Sequence, residues 1–594
     1  MEKLTHVRKS RLLRDGPFCI AFPHLEITPF REPDAMSHSP FFGQIARAMR
    51  IGNLAESLKI STPEALERVA VHEDVYQRGR ATRREFMGNL AKTAAAAGLA
   101  ALTGPFAMSG TARALGSPSI GILGAGLAGL VCAEQLRAKG IIATIYEAEE
   151  SRVGGRCWSM PNFLPGMAIE HGGQFIDNLH KEMLRRVPAG CALGDFGKLP
   201  GEVDYFIDGQ HYHESVIVDA YRDFVAALRA DQQGSSAEVS ADSFTAYDEN
   251  LDNTSLAAYV AGANGLGIAA EPLLQNAILC AYEGEYGLAA SEQSALNFVQ
   301  FIHADRRSKM AWFGVASDER WYVVGGNDQI AQGVAAGLPG QVRGGHRLTA
   351  VQRLSDGRIE LTFANRVKAI HDAVVITLPF SVLRLAVSLH PNLGLSDAKR
   401  LAIGELGYGT NAKMAIGFND TPWRRPSAHA AAGTDGFAYM SGLPNAQVAF
   451  PASPYESIEG PGGRAIEVDY SSGPRGAALR PSRPTEEAEN FLTDFDRVTP
   501  GVKAAAMRNR HGKLTKVRLD HWPSNPNCLG SYTCYKTGQF TTIAGSEGKQ
   551  EGNLHFAGEH TDSFYSWQGF MEGGCLSGIR AAHEILADIK AGRL

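Results

Sequence analysis

The chain has 594 residues, a formal net charge of −5 at pH 7 and 44% hydrophobic residues. This length is sufficient for two domains with substantial cores and a terminal extension. The mild negative charge, without a basic cluster in the body, argues against nucleic acid as a partner. The 65 glycines are typical of a loop-rich α/β enzyme. The eight cysteines show no C-x-x-C pair, so we expect mostly buried thiols.

The first 116 residues predict an N-terminal extension with an export signal. Arg83 and Arg84 lie ahead of a mild apolar run, Ala94–Leu102, and of a small-residue cleavage pattern at 112–114. This order is typical of a twin-arginine leader, and the apolar run is too short for a membrane span, which needs roughly 20 residues. We expect use of the twin-arginine export machinery and a periplasmic or secreted protein. A cytoplasmic enzyme with a helical N-terminal arm stays open, because about eighty residues precede the arginine pair.

A glycine-rich turn follows the extension. Ile120–Leu123 is an apolar run that predicts a buried parallel strand, and Gly124, Gly126 and Gly129 open the next helix. The glycines allow a tight turn, close approach of a pyrophosphate, and packing of the helix on the sheet. A second strand over 141–146 ends at Glu147, whose carboxylate can accept bonds from ribose hydroxyls. The pattern predicts a dinucleotide site and leaves NAD and FAD open.

A second glycine pair then favours FAD. Arg152, Gly155 and Arg156 come soon after Glu147, and Gly173 and Gln174 follow in a further double-glycine segment. The second turn provides another close backbone approach, and the arginines can neutralise pyrophosphate charge.

Beyond Asp177 the pattern predicts polar helices to about residue 312, with an amphipathic stretch over 220–229. Strands are predicted again at 320–324, 348–351, 359–363 and 373–378, followed by mixed helix and strand over 396–520. The Pro/Gly-rich stretch Pro451–Pro484 predicts surface loops.

Two C-terminal motifs complete a resemblance. They are the loop 554–562, which contains Gly558 and Glu559, and the segment 567–574, which begins at Trp567. With the glycine turns, the chain from about Ser117 onward resembles the flavin amine oxidase superfamily, which includes monoamine, polyamine and L-amino acid oxidases. The resemblance implies an α/β fold in which an FAD-binding Rossmann-like domain of the glutathione-reductase type carries an α+β substrate-binding domain. We expect the FAD domain to comprise 117–176, 313–395 and 521–594, and the substrate domain 177–312 and 396–520.

The resemblance implies a set of FAD contacts. Val351 is expected to touch adenine through its backbone, Glu559 to bond near the ribityl chain or phosphates, and Met571 N–H to meet the flavin pyrimidine. Ser531 stands where some members carry the cysteine that binds FAD covalently, so we predict non-covalent FAD. The expected cofactor-binding residues are Gly124, Gly126, Gly129, Glu147, Arg152, Gly155, Arg156, Gly173, Gln174, Val351, Trp522, Gly558, Glu559, Gln568, Phe570 and Met571.

The resemblance also implies the catalytic residues Lys413, Tyr532 and Phe570. Lys413 would hold a water against flavin N5, and Tyr532 and Phe570 would form an aromatic cage. From the pattern alone, the lysine would point to solvent and the aromatic residues would be core packing. The expected substrate contacts are Gln174, Phe175, Tyr532 and Trp567.

The resemblance implies an FAD-dependent amine oxidase that deaminates a primary amine or an amino-acid-like substrate. A neutral amine gives hydride to flavin N5, the imine hydrolyses, and O2 is reduced to H2O2. The alternative is an L-amino acid oxidase or related monooxygenase, although Phe175 stands about where venom-type enzymes carry a carboxylate-binding arginine. An NAD-linked dehydrogenase and a non-catalytic flavin-fold module also stay open. The 18 histidines show no ligand spacing, so we expect no metal; a homodimer is compatible with the sequence.

Overall fold

The computed structural model describes residues 118–236, 238–300, 319–452, 463–562 and 567–594. The predicted leader around Arg83 and Arg84 lies outside these residues. Among the helices in the described part, none combines the length and the apolar character that crossing a bilayer requires.

The described strands are numbered in chain order. They are β1 Ile120–Leu123, β2 Thr144–Tyr146, β3 Ser159–Leu164, β4 Met167–Glu170, β5 Leu193–Asp195, β6 Glu202–Ile207, β7 Gln210–Tyr212, β8 Trp321–Val323, β9 Val342–Arg343, β10 Leu348–Arg353, β11 Ile359–Phe363, β12 Lys368–His371, β13 Ala373–Ile376, β14 Ser388–Leu389, β15 Ala412–Phe418, β16 Thr434–Met440, β17 Val448–Pro451, β18 Ala465–Ser471, β19 Val517–His521 and β20 Leu554–Phe556.

The described α-helices are numbered in the same way. They are α1 Leu127–Arg137, α2 Lys181–Arg185, α3 Glu214–Gly234, α4 Ala246–Asp252, α5 Leu256–Val260, α6 Pro272–Tyr286, α7 Leu296–Val299, α8 Asp328–Ala336, α9 Phe380–Ala386, α10 Asp397–Glu405, α11 Gly473–Ala478, α12 Pro484–Val498, α13 Val502–Ala505, α14 Gln539–Thr542 and α15 Met571–Lys590.

A parallel sheet of five strands carries the glycine-rich turn. Its order is β20-β13-β1-β2-β9, and β1, at its centre, is fully buried. Burial on both faces explains the continuous apolar run of β1, because helices cover the faces of a parallel sheet. Helices α1 and α15 pack against each other beside this sheet. This arrangement confirms the predicted Rossmann-like α/β fold and brings the two ends of the described chain together.

A second sheet of seven strands has the order β19-β15-β18-β17-β16-β6-β7. Strand β15, which contains Lys413, lies between β18 and β19 and is buried along its whole length. Helix α12 covers this sheet with an apolar face that includes Phe491 and Phe495. The lysine therefore lies on an interior strand and is buried, so the solvent-facing side chain expected from the pattern alone is wrong.

Two other sequence expectations are corrected. Strands β5, β6 and β7 come between Asp177 and the first long helix, α3, where polar helices were predicted. Strand β18 and helix α11 lie within the stretch Pro451–Pro484, which was predicted as surface loops. All seven residues of β18 are buried, because the strand lies between β15 and β17. The flanking prolines and glycines, and the polar residues Glu467, Asp469 and Ser471 within it, concealed this short strand from pattern analysis.

Candidate active site

One long cavity extends from the glycine turns at β1 to the buried lysine of β15. Sixteen of the predicted site residues line it. They are Gly124, Gly126, Glu147, Arg152, Gly155, Arg156, Gly173, Gln174, Phe175, Lys413, Trp522, Tyr532, Gly558, Glu559, Phe570 and Met571.

At the first end of the cavity the two glycine turns touch. The N–H of Gly154 donates to the carbonyl oxygen of Ala125 at 2.8 Å, and Gly126 bridges to Gly154. A Cβ on Gly155 would meet Cα of Gly126 at 3.3 Å, so a side chain there would fill the space between the turns. Helix α1 begins here without a side-chain cap, and its free N–H groups favour an anion. The residues fit a bound pyrophosphate.

Glu147 is fixed at the end of β2. Its Oε2 accepts the N–H of Ala125 at 2.7 Å, and its Oε1 accepts the N–H of Glu149 at 2.9 Å. These bonds hold the carboxylate beside the first turn, where remaining lone pairs can accept ribose hydroxyls.

Arg156 and Glu559 join the two ends of the chain inside the cavity. The guanidinium donates to Oε1 of Glu559 at 2.8 Å and to the carbonyl oxygen of Ser531 at 2.7 Å. Oε2 of Glu559 accepts the N–H of Gly569 at 2.7 Å, just before helix α15. Both carboxylate oxygens of Glu559 therefore have partners, and these bonds fix the loop 554–562 against Arg156 and the start of α15.

Helix α15 begins at Met571, and its first turn faces the cavity. The positive end of a helix dipole stabilises negative charge that develops beside it. The Sδ of Met571 lies so close to Gly173 that a Cβ on that glycine would approach it to 2.6 Å. The absence of a side chain at Gly173 therefore allows the start of α15 to pack close to this segment.

Lys413 lies at the opposite end of the cavity with only 7% of its surface exposed. Its Nζ donates to the carbonyl oxygen of Gly172 at 2.5 Å and to Oε1 of Gln174 at 3.2 Å. Burial lowers the pKa of this ammonium, while the nearby Glu170 and Asp520 oppose that effect. Burial conversely raises the pKa of Glu170. The structure thus places a buried, hydrogen-bonded amine in the wall of the cavity.

Aromatic rings surround this end. The hydroxyl of Tyr532 donates to the carbonyl oxygen of Glu285 at 2.6 Å and lies 2.8 Å from the hydroxyl of Tyr470. Phe175 contacts Phe450 edge-on with ring centroids 5.4 Å apart. Phe570 lines the same cavity. These flat walls can orient a small apolar substrate without bonding strongly to it.

Four predicted residues do not line the cavity. Gly129 lies behind it, where a Cβ would overlap the carbonyl oxygen of Gly124, in agreement with the expected helix packing. Gln568 donates to the carbonyl oxygen of His560 at 3.0 Å, and Trp567 is buried against His180.

Val351 does not line the cavity, and its expected backbone contact with adenine stays a prediction. This residue is fully buried, and its carbonyl oxygen accepts the N–H of His390 at 3.0 Å. The side chain of Val351 is buried in the core, and in this part of the chain Arg347 and Leu348 line the cavity instead.

Sequence reasoning missed Glu319, Phe450 and Tyr470. Tyr470 lies opposite Lys413 in the pairing of β18 with β15, so a correct prediction of β18 would have revealed it. Glu319 carried no signal, because one acidic residue ahead of a strand is common.

The cysteines agree with the predicted buried thiols within the described residues, where six of the seven are buried and Cys191 is half-buried. Cys534 is buried outside the cavity wall, and Ser531 donates to Oδ1 of Asn411 at 2.6 Å. Cys157 and Cys528 line the cavity, and burial raises the pKa of both thiols.

Comparisons with known proteins show the family to which the chain belongs. The family model for flavin containing amine oxidoreductase matches residues 127–586. An L-amino-acid oxidase from Siganus canaliculatus is 24% identical over 487 residues, covering 78% of this chain and 84% of the relative. Polyamine oxidase 4 from Oryza sativa subsp. japonica is 22% identical over 502 residues, covering 79% and 88%.

Among solved structures, cyclohexylamine oxidase from Brevibacterium oxydans IH-35A has a TM-score of 0.65. It is 17% identical and covers 80% of this chain and 100% of its own. The match confirms the predicted fold, and the family confirms FAD over NAD. The chain belongs to the family of flavin-containing amine oxidoreductases and is an FAD-dependent oxidoreductase that acts on CH–NH2 donors.

Proposed function

We propose that the chain oxidises primary amines that lack an α-carboxylate. The observation that carries this proposal is the acidic side chain of Glu319 in the cavity wall beside the aromatic rings. Glu319 lines the cavity and interacts electrostatically with Tyr470 and Tyr532. An acidic group beside the aromatic walls attracts a cationic amine from solution and repels a carboxylate.

The arginines in the described wall lie elsewhere. Arg152 donates to the carbonyl oxygen of Gly155 at 2.8 Å, and Arg156 pairs with Glu559, both beside the glycine turns. Arg347 follows His346, whose N–H donates to the carbonyl oxygen of Glu147. All three are therefore next to the expected nucleotide part of FAD, and Phe175 offers no charge for a substrate carboxylate.

Different groups of the protein would assist different steps of oxidative deamination. The aromatic walls hold the amine as a neutral molecule, because they exclude the water that would stabilise an ammonium. Lys413 can hold a water by a hydrogen bond, and a water is needed to convert the imine to aldehyde and ammonia. Bound FAD would supply the redox chemistry, as the acceptor for the hydride of the amine α-carbon and the donor of the electron pair that reduces O2 to H2O2.

A substrate panel under anaerobic conditions tests the proposal. The FAD-loaded protein is mixed with primary alkylamines, arylalkylamines, diamines and L-amino acids, and the loss of flavin absorbance is followed. We expect amines to bleach the flavin and to release peroxide when air is admitted. Bleaching by α-amino acids alone would assign the chain to the L-amino acid oxidases. No bleaching by any compound would contradict amine oxidation.

We also propose export through the twin-arginine route, on the sequence order around Arg83 and Arg84. Replacing both residues by lysine is expected to retain the enzyme in the cytoplasm of a bacterial host, whereas the unchanged chain reaches the periplasm. Equal distribution of the two forms would contradict the export proposal.

A further inference from the structure

The geometry points to a divalent cation site, formed by Asp204, His211 and His429, at the edge of the seven-stranded sheet. One ligand atom from each residue lies within 4.8 Å of the other two. Two imidazole nitrogens and one carboxylate oxygen are a ligand set suited to a zinc-type cation, with water completing the coordination.

The hairpin β6–β7 positions two of the ligands. Phe206 pairs with His211 across the two strands, and Asp204 lies two residues earlier on β6. Since side chains alternate along a strand, Asp204, Phe206 and His211 share one face. The turn Asp208-Gly209 has positive φ at both residues, 51° and 84°, which matches the tight hairpin that fixes this register.

The loop that precedes β16 supplies the third ligand. Strand β16 runs parallel to β6, and Thr434 pairs with Glu202, so the chain just before Thr434 lies over the hairpin. Ser427 holds this loop by accepting the N–H of Ala430 at 3.1 Å. The ring of His429 stacks on that of His211 at 3.6 Å with an interplanar angle of 8°.

The carboxylate of Asp204 is aimed between the two rings. Oδ1 lies 2.7 Å from Nδ1 of His211, and Oδ2 lies 3.4 Å from Nε2 of His429. Only 2% of the Asp204 side chain is exposed, and the 3.4 Å contact with His429 is long for a hydrogen bond to Oδ2. Burial raises the pKa of this carboxyl, but the two histidines more than offset that effect, so the pKa lies below its ordinary value.

The spacing and access also suit a cation. Metal–ligand bonds of about 2.1 Å at tetrahedral angles separate ligand atoms by about 3.4 Å. The two rings are stacked in the present arrangement, so at least one of them must rotate until the lone pairs of both imidazoles point at the same cation. The histidine side chains are 21% and 23% exposed, so a cation and its water can enter from solvent.

Such a cation would fasten the loop before β16 to the edge hairpin. It departs from the expectation of no metal, because the two histidines are distant in sequence and meet only through the fold. The proposal does not depend on the oxidase reaction, and its ligands are outside the cavity wall.

Zinc binding by the tag-free holoenzyme tests this site. After treatment with a chelator, the protein is titrated with Zn2+ alone by calorimetry, and its zinc content is measured after dialysis. We expect one Zn2+ per chain and an increased Tm. His211→Ala and His429→Ala should abolish both effects, while His511→Ala, at an exposed histidine outside the cluster, should retain them.

Loss of zinc binding in the cluster variants, with unchanged flavin absorbance and amine turnover, would support a site separate from the oxidase. The proposal is overturned if the unchanged protein binds no zinc, or if both cluster variants bind it as His511→Ala does. Co2+ gives a second measurement, since its ligand-field bands should appear in the unchanged protein and be lost in His429→Ala.

Discussion

Lys413 and Gly172 are joined by a hydrogen bond of 2.5 Å from Nζ to the carbonyl oxygen. This bond connects β15, an interior strand of the seven-stranded sheet, to the Gly172-Gly173 pair, which lies beside the N-terminus of α15. The amine is thus held by backbone geometry in the wall of the cavity, where a fixed donor can act on a water without reorganisation.

Replacement of Lys413 by methionine should therefore preserve FAD binding and slow turnover. We expect Lys413→Met to remain yellow and to lose about 10²–10³-fold in the rate of flavin reoxidation or of overall turnover, the usual cost of removing one preorganised donor. Stopped-flow absorbance separates flavin reduction from reoxidation. The matched control is Lys368→Met, at an exposed lysine of β12. Near-normal rates in Lys413→Met would remove the residue from the mechanism.

Gly129 tests the packing that forms the dinucleotide turn. A Cβ at this position would overlap the carbonyl oxygen of Gly124, so α1 must move away from the sheet. Overpacking of this kind costs about 1–3 kcal/mol. We expect Gly129→Ala to lower the Tm and to bind FAD roughly 10–100-fold less tightly. The flavin absorbance that remains with the protein after gel filtration shows this loss.

The control for that change is Gly404→Ala in helix α10, where an added Cβ meets nothing within 4 Å. Alanine is the better helix former, so this variant should be as stable as the unchanged protein or slightly more stable. Equal FAD retention in Gly129→Ala and Gly404→Ala would contradict the packing role.

The parts of the site that the sequence predicted correctly share a local cause. The turn at Gly124, the strand Ile120–Leu123 and the loop at Glu559 are specified by residues next to each other in the chain. Tyr470 was missed because it faces Lys413 through strand pairing, which no local pattern records. The position of Val351 outside the cavity wall, with its carbonyl oxygen bonded to His390, is likewise shown only by the fold.

Glu572 should make stability depend on pH. Its carboxylate oxygens accept the N–H groups of Glu182 and Met183 at 2.9 Å, joining α15 to α2. Burial raises the pKa of Glu572 from 4.5 to about 7. The folded protein thus holds this proton to a higher pH than the unfolded chain does. The free energy of unfolding should therefore fall as pH rises from about 4.5 to 7, by up to ~3 kcal/mol.

Glu572→Gln removes this component. The free energy of unfolding of the unchanged protein minus that of the variant should therefore fall as pH rises over the same range. Denaturant unfolding of both proteins at several pH values measures it. Glu271→Gln, at an exposed carboxyl preceding α6, should follow the unchanged protein. A Glu572→Gln profile parallel to that of the unchanged protein would show that burial does not shift this carboxyl.

Glu319 is the residue on which substrate choice should depend. If its charge favours amines over α-amino acids, Glu319→Gln should reduce the ratio of kcat/KM for a primary amine to that for an L-amino acid. We expect about a tenfold change, because a unit charge about 6 Å away at an effective dielectric constant of 20 contributes at most ~3 kcal/mol and solvent screening reduces this. Initial rates of peroxide formation with both substrates give the ratio. Glu319→Asp keeps the charge and should keep most of the discrimination, so an equal loss in both variants would indicate that shape, rather than charge, selects the substrate.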